Sequence, residues 1–234
     1  LMHQIDDKSI DMILCDLPYG TTACKWDSVI PFEPLWAHYK RIIKNNGAIV
    51  LTASQPFTSA LVMSNIKMFK YCWVWEKTRK TGFANSNRQP LRNYEDIAVF
   101  YKGQCKYNPQ ELIKKSIPTI VNRKKPKNDT VNAGENDGSL CGEYIQEFEN
   151  YPSQVIKIKS EGNTSHPTQK PVALFEYLIK TYTNEGELVL DNCAGSGTTA
   201  IACLSTNRNF ILMEREQNYC DIANKRIADI LELT

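Results

Sequence analysis

The sequence predicts an α/β fold: a mainly parallel sheet with helices on both faces and a loop-rich insertion. Three observations carry this. Apolar runs alternate with helix-period segments over about the first hundred residues, a second such block begins near residue 166, and a hydrophilic stretch lies between them. With 234 residues and 42% hydrophobic content, the chain can bury one sizeable core and carry a smaller lobe.

"IDMILCD" (10–16) reads as a buried strand, because an unbroken apolar run is covered on both faces. "PLWAHYKRIIKNNG" (34–47) has helical spacing and closes on Asn-Gly, and "AIVLTA" (48–53) is again a strand. "QPFTSALVMSNIK" (55–67) is the next helix. "KYCWVWEK" (70–77) and "EDIAVFYK" (95–102) have the aromatic and β-branched content of two strands, joined by the polar loop "TRKTGFANSNRQPLRN" (78–93). Trp73 and Trp75 alternate along one strand, so both face the same side and pack in the core.

From 103 to 165 the chain is rich in Asn, Lys, Pro and Gly, which marks a loop-rich insertion. The α/β pattern then resumes with helix "PVALFEYLIKTYT" (171–183), strand "ELVLDN" (187–192), helix "GTTAIACLS" (197–205), strand "RNFILME" (208–214) and a last helix from about Asn218. The expected division is 1–102, 103–165 and 166–234, the first and last being halves of one domain.

Composition narrows the function. The eight cysteines form no C-x-x-C pair and there are only three histidines, so no metal site is expected. Cysteines inside apolar runs suit reduced thiols and a cytoplasmic protein. No apolar run approaches the ~20 residues of a membrane span, and no secretory leader opens the sequence. Net charge is only +2, yet Lys77–Lys127 holds thirteen basic residues against three acids, leaving −8 to the rest. Such a block makes the middle of the chain electrostatically distinct from both ends, as either a solvated surface or a face for a polyanion.

Two turns carry the chemistry, and both sit where an α/β sheet binds ligands, at the carboxyl ends of strands. In "CDLPYG" an apolar run ends on Asp16 and turns through Leu17-Pro18-Tyr19; an ordinary strand-to-loop junction would read the same way. In "LVLDNCAGSGTTA" the pattern Gly195-x-Gly197-x-x-Ala200 follows a strand and opens a helix, and the next strand ends in Glu214. Glycines there serve close approach of backbone to a ligand or helix–strand packing, and Glu214 stands where a carboxylate grips ribose hydroxyls. A nucleoside cofactor is implied. About twenty residues follow Glu214, too few for a dinucleotide fold to finish its sheet, so the domain is permuted. Asp191 would repel a pyrophosphate and welcome a sulfonium bearing an amino group, which favours S-adenosylmethionine over NAD.

A permuted cofactor domain with Asp16-Leu17-Pro18-Tyr19 first, a basic middle, then "HPTQKP" and "LDNCAGSGTT" resembles the β-group of amino-methylating DNA methyltransferases. The resemblance implies a Rossmann-like S-adenosylmethionine-dependent fold. It also implies methyl transfer to the exocyclic amine of a base flipped from double-stranded DNA. By this likeness 1–102 is the catalytic half, 103–165 a target-recognition region and 166–234 the cofactor half. Asp16, Leu17, Pro18 and Tyr19 form the implied catalytic cluster. Asp16 and a backbone carbonyl of Leu17-Pro18 accept the amine's hydrogens, proline fixes that carbonyl, and Tyr19 stacks on the base.

The implied cofactor residues are Asp191, Ala194, Gly195, Ser196, Gly197, Thr198 and Thr199, with Glu214 for the ribose and Thr168, Lys170 and Pro171 from the preceding motif. Lys170 is matched to the methionine carboxylate. Arg79, Lys80, Arg88 and Arg92 are the expected phosphate contacts, Asn85, Asn87 and Gln89 the expected readers of base edges, and Arg123, Lys124 and Lys125 belong to an expected mobile basic arm (122–127) that binds DNA. Asp at the head of the motif favours adenine N6, with cytosine N4 as the alternative. Cytosine C5 methylation is set aside for want of a Pro-Cys dipeptide. A non-catalytic DNA-binding module with this fold is a further alternative; the basic block disfavours a protein-glutamine substrate. Family members carry an upstream strand whose terminal acid contacts the cofactor's adenine, and this sequence opens after it. A bacterial or phage restriction–modification context is implied, with a cognate endonuclease and a homodimer as expected partners.

Overall fold

The computed structural model describes residues 1–22, 24, 27–123, 142–160 and 169–232. The chain forms two compact units, Leu1–Asn108 with Ser153–Thr234, and Pro109–Pro152.

The first unit is built on strands β1 (Ile10–Asp16), β2 (Ile43–Ala53), β3 (Phe69–Thr81), β4 (Arg92–Phe100), β7 (Val155–Lys157), β8 (Leu188–Asp191) and β9 (Asn209–Leu212). Their order across the sheet is β7-β3-β4-β2-β1-β8-β9. All neighbours run parallel except β4, which is antiparallel to both β2 and β3. Helices α1 (Phe32–Ile42), α2 (Phe57–Ser64), α3 (Val172–Tyr182), α4 (Thr198–Ser205) and α5 (Gln217–Leu231) complete the unit.

The two-residue period of the central strands sorts the core into two layers. Ile13 and Cys15 of β1 and Ile49 and Leu51 of β2 meet Leu35, Trp36 and Tyr39 of α1 and Leu61 of α2. On the opposite face Met12, Leu14 and Val50 meet Leu174, Leu178 and Ile179 of α3 and Cys203 of α4. This explains the unbroken apolar runs of β1 and β2: each is buried on both sides. Trp73 and Trp75 lie in the second layer, 3% exposed each, and their indole N–H groups donate to the Tyr182 hydroxyl and the Ile158 carbonyl.

One boundary departs from the sequence pattern. The first helix stops at Ile42, and residues 43–47, expected to close it, already belong to β2. Asn45, Asn46 and Gly47 are poor helix formers, Ile43 pairs with Ile10, and Lys44 reaches back to Asp11 at 2.7 Å. The hydrophilic middle is also more ordered than its composition suggests. In the second unit β5 (Ile113–Arg123) pairs antiparallel with β6 (Gly142–Glu149), its ladder irregular between Lys114 and Thr119, where Pro118 lacks a donor. β7, from the same stretch of sequence, extends the main sheet beside β3.

Strand order decides where the chemistry sits. Connections from β1 lead to one side of the sheet and those from β8 to the other, so a crevice opens at the carboxyl ends of these neighbours.

Candidate active site

β1 delivers Asp16 to the crevice and β8 delivers Asp191, with Ile13 in register with Leu190. Asp16, Leu17, Pro18 and Tyr19 therefore line the same cavity, of about 270 Å³, as Asp191, Ala194, Gly195, Ser196, Thr198 and Glu214. Residues about 175 positions apart in sequence share one pocket.

The Asp16 carboxylate is held on three sides. Its Oδ1 accepts hydrogen bonds from the Tyr19 hydroxyl at 2.7 Å and from the Thr52 hydroxyl, and its Oδ2 accepts one from the Lys170 ammonium at 2.6 Å. A carboxylate has about four acceptor sites, so one remains for a further donor in the cavity. Burial by itself would lower the pKa of Lys170, but Asp16 and Glu95, the latter 3.4 Å away, raise it, and the ammonium stays charged. Glu95 in turn accepts from Lys77 at 2.7 Å. The result is a run of alternating charges, Asp16–Lys170–Glu95–Lys77, that leads away from the cavity, whose lining includes Asp16 and Lys170 but neither Glu95 nor Lys77.

Burial, together with the charges of Asp16 and Glu95, pushes the Tyr19 phenol well above its ordinary range, so it remains a donor. Its ring stacks on Phe57, centroids 5.1 Å apart and planes 24° apart, with the Lys170 ammonium 5.5 Å from its centroid. The tyrosine expected to meet a base is thus itself braced. Beyond it the chain folds around Asp27, whose carboxylate accepts the N–H groups of Gly20, Thr21 and Thr22 at 2.7–2.9 Å. Partial burial works against the charged form, yet the Thr22 hydroxyl and these N–H groups hold the Asp27 carboxyl below its usual range.

The glycine turn is clamped as firmly. Gly197 caps α4 at φ +79°, and a Cβ there would lie 2.9 Å from the Ala223 Cβ, so glycine is required both by conformation and by packing. Neither Gly197 nor Thr199 lines the cavity; Thr199 donates to Asp191 Oδ2 at 2.5 Å while the Cys193 N–H donates to Oδ1 at 3.0 Å. Burial pushes the Asp191 carboxyl up to about 6 despite these donors, and the charge of Asp16 adds to the rise. Arg226 donates to the Ser196 carbonyl at 2.6 Å and to its hydroxyl oxygen at 3.0 Å, and that hydroxyl donates to Gln169 at 2.9 Å.

Glu214, two residues past the end of β9 and not at the end of the strand as expected, closes the turn. Its Oε2 accepts the Gly195 N–H at 2.8 Å and its Oε1 the N–H groups of Arg215 and Glu216 at 2.8 and 2.9 Å. A backbone turn backed by two acids suits a nucleoside that carries hydroxyl donors and positive charge, and it fits the expected cofactor.

The other expected residues fall in three groups. Pro171 caps α3 at φ −62° and does not line the cavity, while Lys170 beside it is engaged by Asp16 and Glu95. Arg79 and Lys80 end β3, Asn85, Asn87, Arg88 and Gln89 lie in the loop after it, and Arg92 starts β4; all seven are exposed. Thr168, Lys124, Lys125 and the side chain of Arg123 lie outside the described residues.

Sequence reasoning passed over Thr52, Glu95, Asp27 and Arg226, and it quoted Gln169 within "HPTQKP" without giving it a role. Thr52 left a usable signal, since it is the polar residue near the carboxyl end of the strand after Asp16. The rest depend on contacts between distant segments. Among the described residues no His/Cys/Asp/Glu cluster could hold a metal, and no helix is long and apolar enough to cross a membrane.

Comparison with known proteins adds an independent finding. A family model described as a DNA methylase matches residues 10–225. The Type II methyltransferase M1.MboII of Moraxella bovis is 28% identical over 242 residues, covering 95% of this chain and 91% of that protein. Among solved structures, the M1.HpyAVI–SAM complex is 28% identical with a TM-score of 0.61, covering 93% of this chain and 89% of its own. The PvuII cytosine-N4-specific DNA methyltransferase shares the fold at 15% identity, with a TM-score of 0.66 and 98% and 87% coverage.

Proposed function

This chain belongs to the DNA methylase family, an S-adenosylmethionine-dependent DNA amino-methyltransferase, and from that premise we propose that it methylates the N6 amine of adenine. Asp16, Leu17, Pro18 and Tyr19 receive the base; the turn Ala194–Thr199, Asp191 and Glu214 hold the cofactor. The observation that carries the reading is the Asp16 carboxylate, fixed by Tyr19, Thr52 and Lys170 in the cavity that also holds the glycine turn.

An aromatic exocyclic amine is a poor nucleophile because its lone pair is delocalised into the ring. The remaining acceptor site of Asp16 takes one amine hydrogen, and a carbonyl of the Leu17-Pro18 segment takes the other. The nitrogen is drawn toward tetrahedral geometry with its lone pair directed outward. Bound S-adenosylmethionine supplies an electrophilic methyl group on a sulfonium. Lys170 holds Asp16 in orientation, and the protonated Tyr19 phenol keeps Oδ1 occupied so that the carboxylate does not rotate. The proton that the amine sheds on methylation passes to the Asp16 carboxylate and on to solvent, so neither Lys170 nor Tyr19 needs to move one.

Aspartate at the head of the motif supports adenine over cytosine. The basic residues Arg79, Lys80, Arg88 and Arg92 are the proposed phosphate contacts, with Asn85, Asn87 and Gln89 at base edges. A cognate endonuclease reading the same sequence is the partner this assignment calls for.

The test is to incubate the protein with unmethylated genomic DNA and S-adenosylmethionine, digest the DNA and quantify methylated nucleosides. N6-methyladenine is expected. N4-methylcytosine alone would overturn the adenine assignment and keep the amine chemistry, whereas DNA binding with neither product would point to a binding module.

A further inference from the structure

The loop between β3 and β4 carries an aromatic side chain that neither the core nor the cavity uses. Phe83 is 68% exposed and opens a short 3-10 turn, Phe83–Asn85. Gly82, at φ +94° with nothing within 4 Å of an added Cβ, reverses the chain just before it. The turn supports itself: the Ser86 N–H donates to the Phe83 carbonyl at 3.1 Å, and the Arg88 and Gln89 N–H groups donate to the Asn85 carbonyl at 2.9 and 3.0 Å. The ring is thus displayed on a preformed tip.

Scattered exposed apolar residues are ordinary, so exposure alone decides nothing. The surroundings do. Arg79, Lys80, Arg88 and Arg92 flank Phe83 in the sequence, and from Lys77 to Arg92 there is no acid. Strand register places the loop as well. Asp16 pairs with Thr52 and Thr52 with Ile97, and because β4 is antiparallel, its residues before Ile97 project past the sheet edge that bears Asp16. At ideal strand spacing Arg92, five residues before Ile97 and paired with Thr81, falls about 16 Å beyond that level and about 10 Å to the side, and Phe83 follows Thr81 by two residues. A cationic loop with a flat apolar tip therefore overhangs the edge through which a base must enter.

We propose that Phe83 enters the DNA base stack at the target and fills the gap left when the base rotates into the cavity, while the flanking cations hold the phosphates. This rests on the DNA methyltransferase reading above. Stacking suits the task because every base offers a π-face, and apolar wedges stabilise an unstacked step where a polar side chain would not.

The experiment uses three duplexes carrying the mapped genomic target: one fully matched, one with a fluorescent analogue in place of the target base, and one with an abasic site opposite the target. Phe83→Ala should lose the rise in analogue fluorescence on binding, which needs no cofactor. It should also lower kcat/KM on the matched duplex by about 10- to 100-fold, with most of the loss restored opposite the abasic site. Phe83→Trp should behave as the wild type. Unchanged fluorescence and turnover in Phe83→Ala overturn the proposal, and so does an equal loss on both duplexes. A wild-type chain that methylates neither the matched nor the abasic duplex takes down the DNA reading and the wedge together.

Discussion

Replacing Lys170 by methionine keeps an apolar stem of similar length and deletes the charge that joins Asp16 to Glu95. Lys170 is 6% exposed, and its ammonium lies 2.6 Å from Asp16 and 3.4 Å from Glu95. Glu95 Oε2 is buried and makes no hydrogen bond among the described residues, so that ammonium is what compensates its charge. Removing one partner of a buried pair costs about 3–5 kcal/mol, because the desolvated partner remains uncompensated. Water reaches part of the Asp16 side chain, 24% exposed, and Lys77 still serves Glu95 Oε1, which favours the lower end, about 3 kcal/mol.

Urea denaturation should therefore show a lower midpoint with an unchanged m-value. Because one of the three supports of Asp16 is lost, kcat should fall at least about tenfold, the equivalent of ~1.4 kcal/mol, with little change in KM for S-adenosylmethionine. Adding Glu95→Gln should recover part of the lost stability, since it removes the facing charge, and the double-mutant cycle should be non-additive by about 1 kcal/mol or more. A Lys170→Met protein within about 0.5 kcal/mol of wild type that turns over normally would refute the assigned role of the ion run.

Asp16→Ala should abolish methyl transfer while leaving S-adenosylmethionine binding, read by calorimetry, within a few-fold. Asp191→Asn tests the buried acid. A carboxyl raised from 3.8 to about 6 favours folding below pH ~4 and loses that contribution as pH rises through 6, so the wild type should lose about 3 kcal/mol relative to the amide variant between pH 4 and 7. Flat difference curves from urea titrations at several pH values would sink this account. Gly197→Ala adds both a positive-φ penalty and a contact at 2.9 Å, and should destabilise by at least about 1–2 kcal/mol, measured by thermal unfolding, while weakening cofactor binding. Neutralising Arg88 and Arg92 together should reduce the slope of log affinity against log salt by about 2, measured by fluorescence anisotropy on duplex DNA.

Much of the fold was legible because its signals are local. Short unbroken apolar runs gave β1, β4 and β8 to within a few residues, and α3 and α4 announced themselves by helical spacing. Local signals were ambiguous at residues 43–47, where a charged and amide-rich segment pairs with β1, and in the polar stretch that contains β5 and β6, whose strands lack a strong apolar pattern. The site divided in the same way: Asp16 and Gly197 could be picked out from their neighbours, while Glu95 and Asp27 could not.

What the sequence determined by itself were the conformations that short-range sterics and periodicity impose: an acid at the end of a buried strand, a glycine where the backbone turns left-handed, a cationic loop between two strands. Only the tertiary structure decided the partners of the charges. β8 lies beside β1, bringing Asp191 and the glycine turn to Asp16, and Lys170, 154 residues from Asp16, is buried between that carboxylate and Glu95. The physical reason is that backbone preference is settled within a few residues of chain, whereas the energy of a buried charge depends on whatever the folded chain sets within a few ångströms of it.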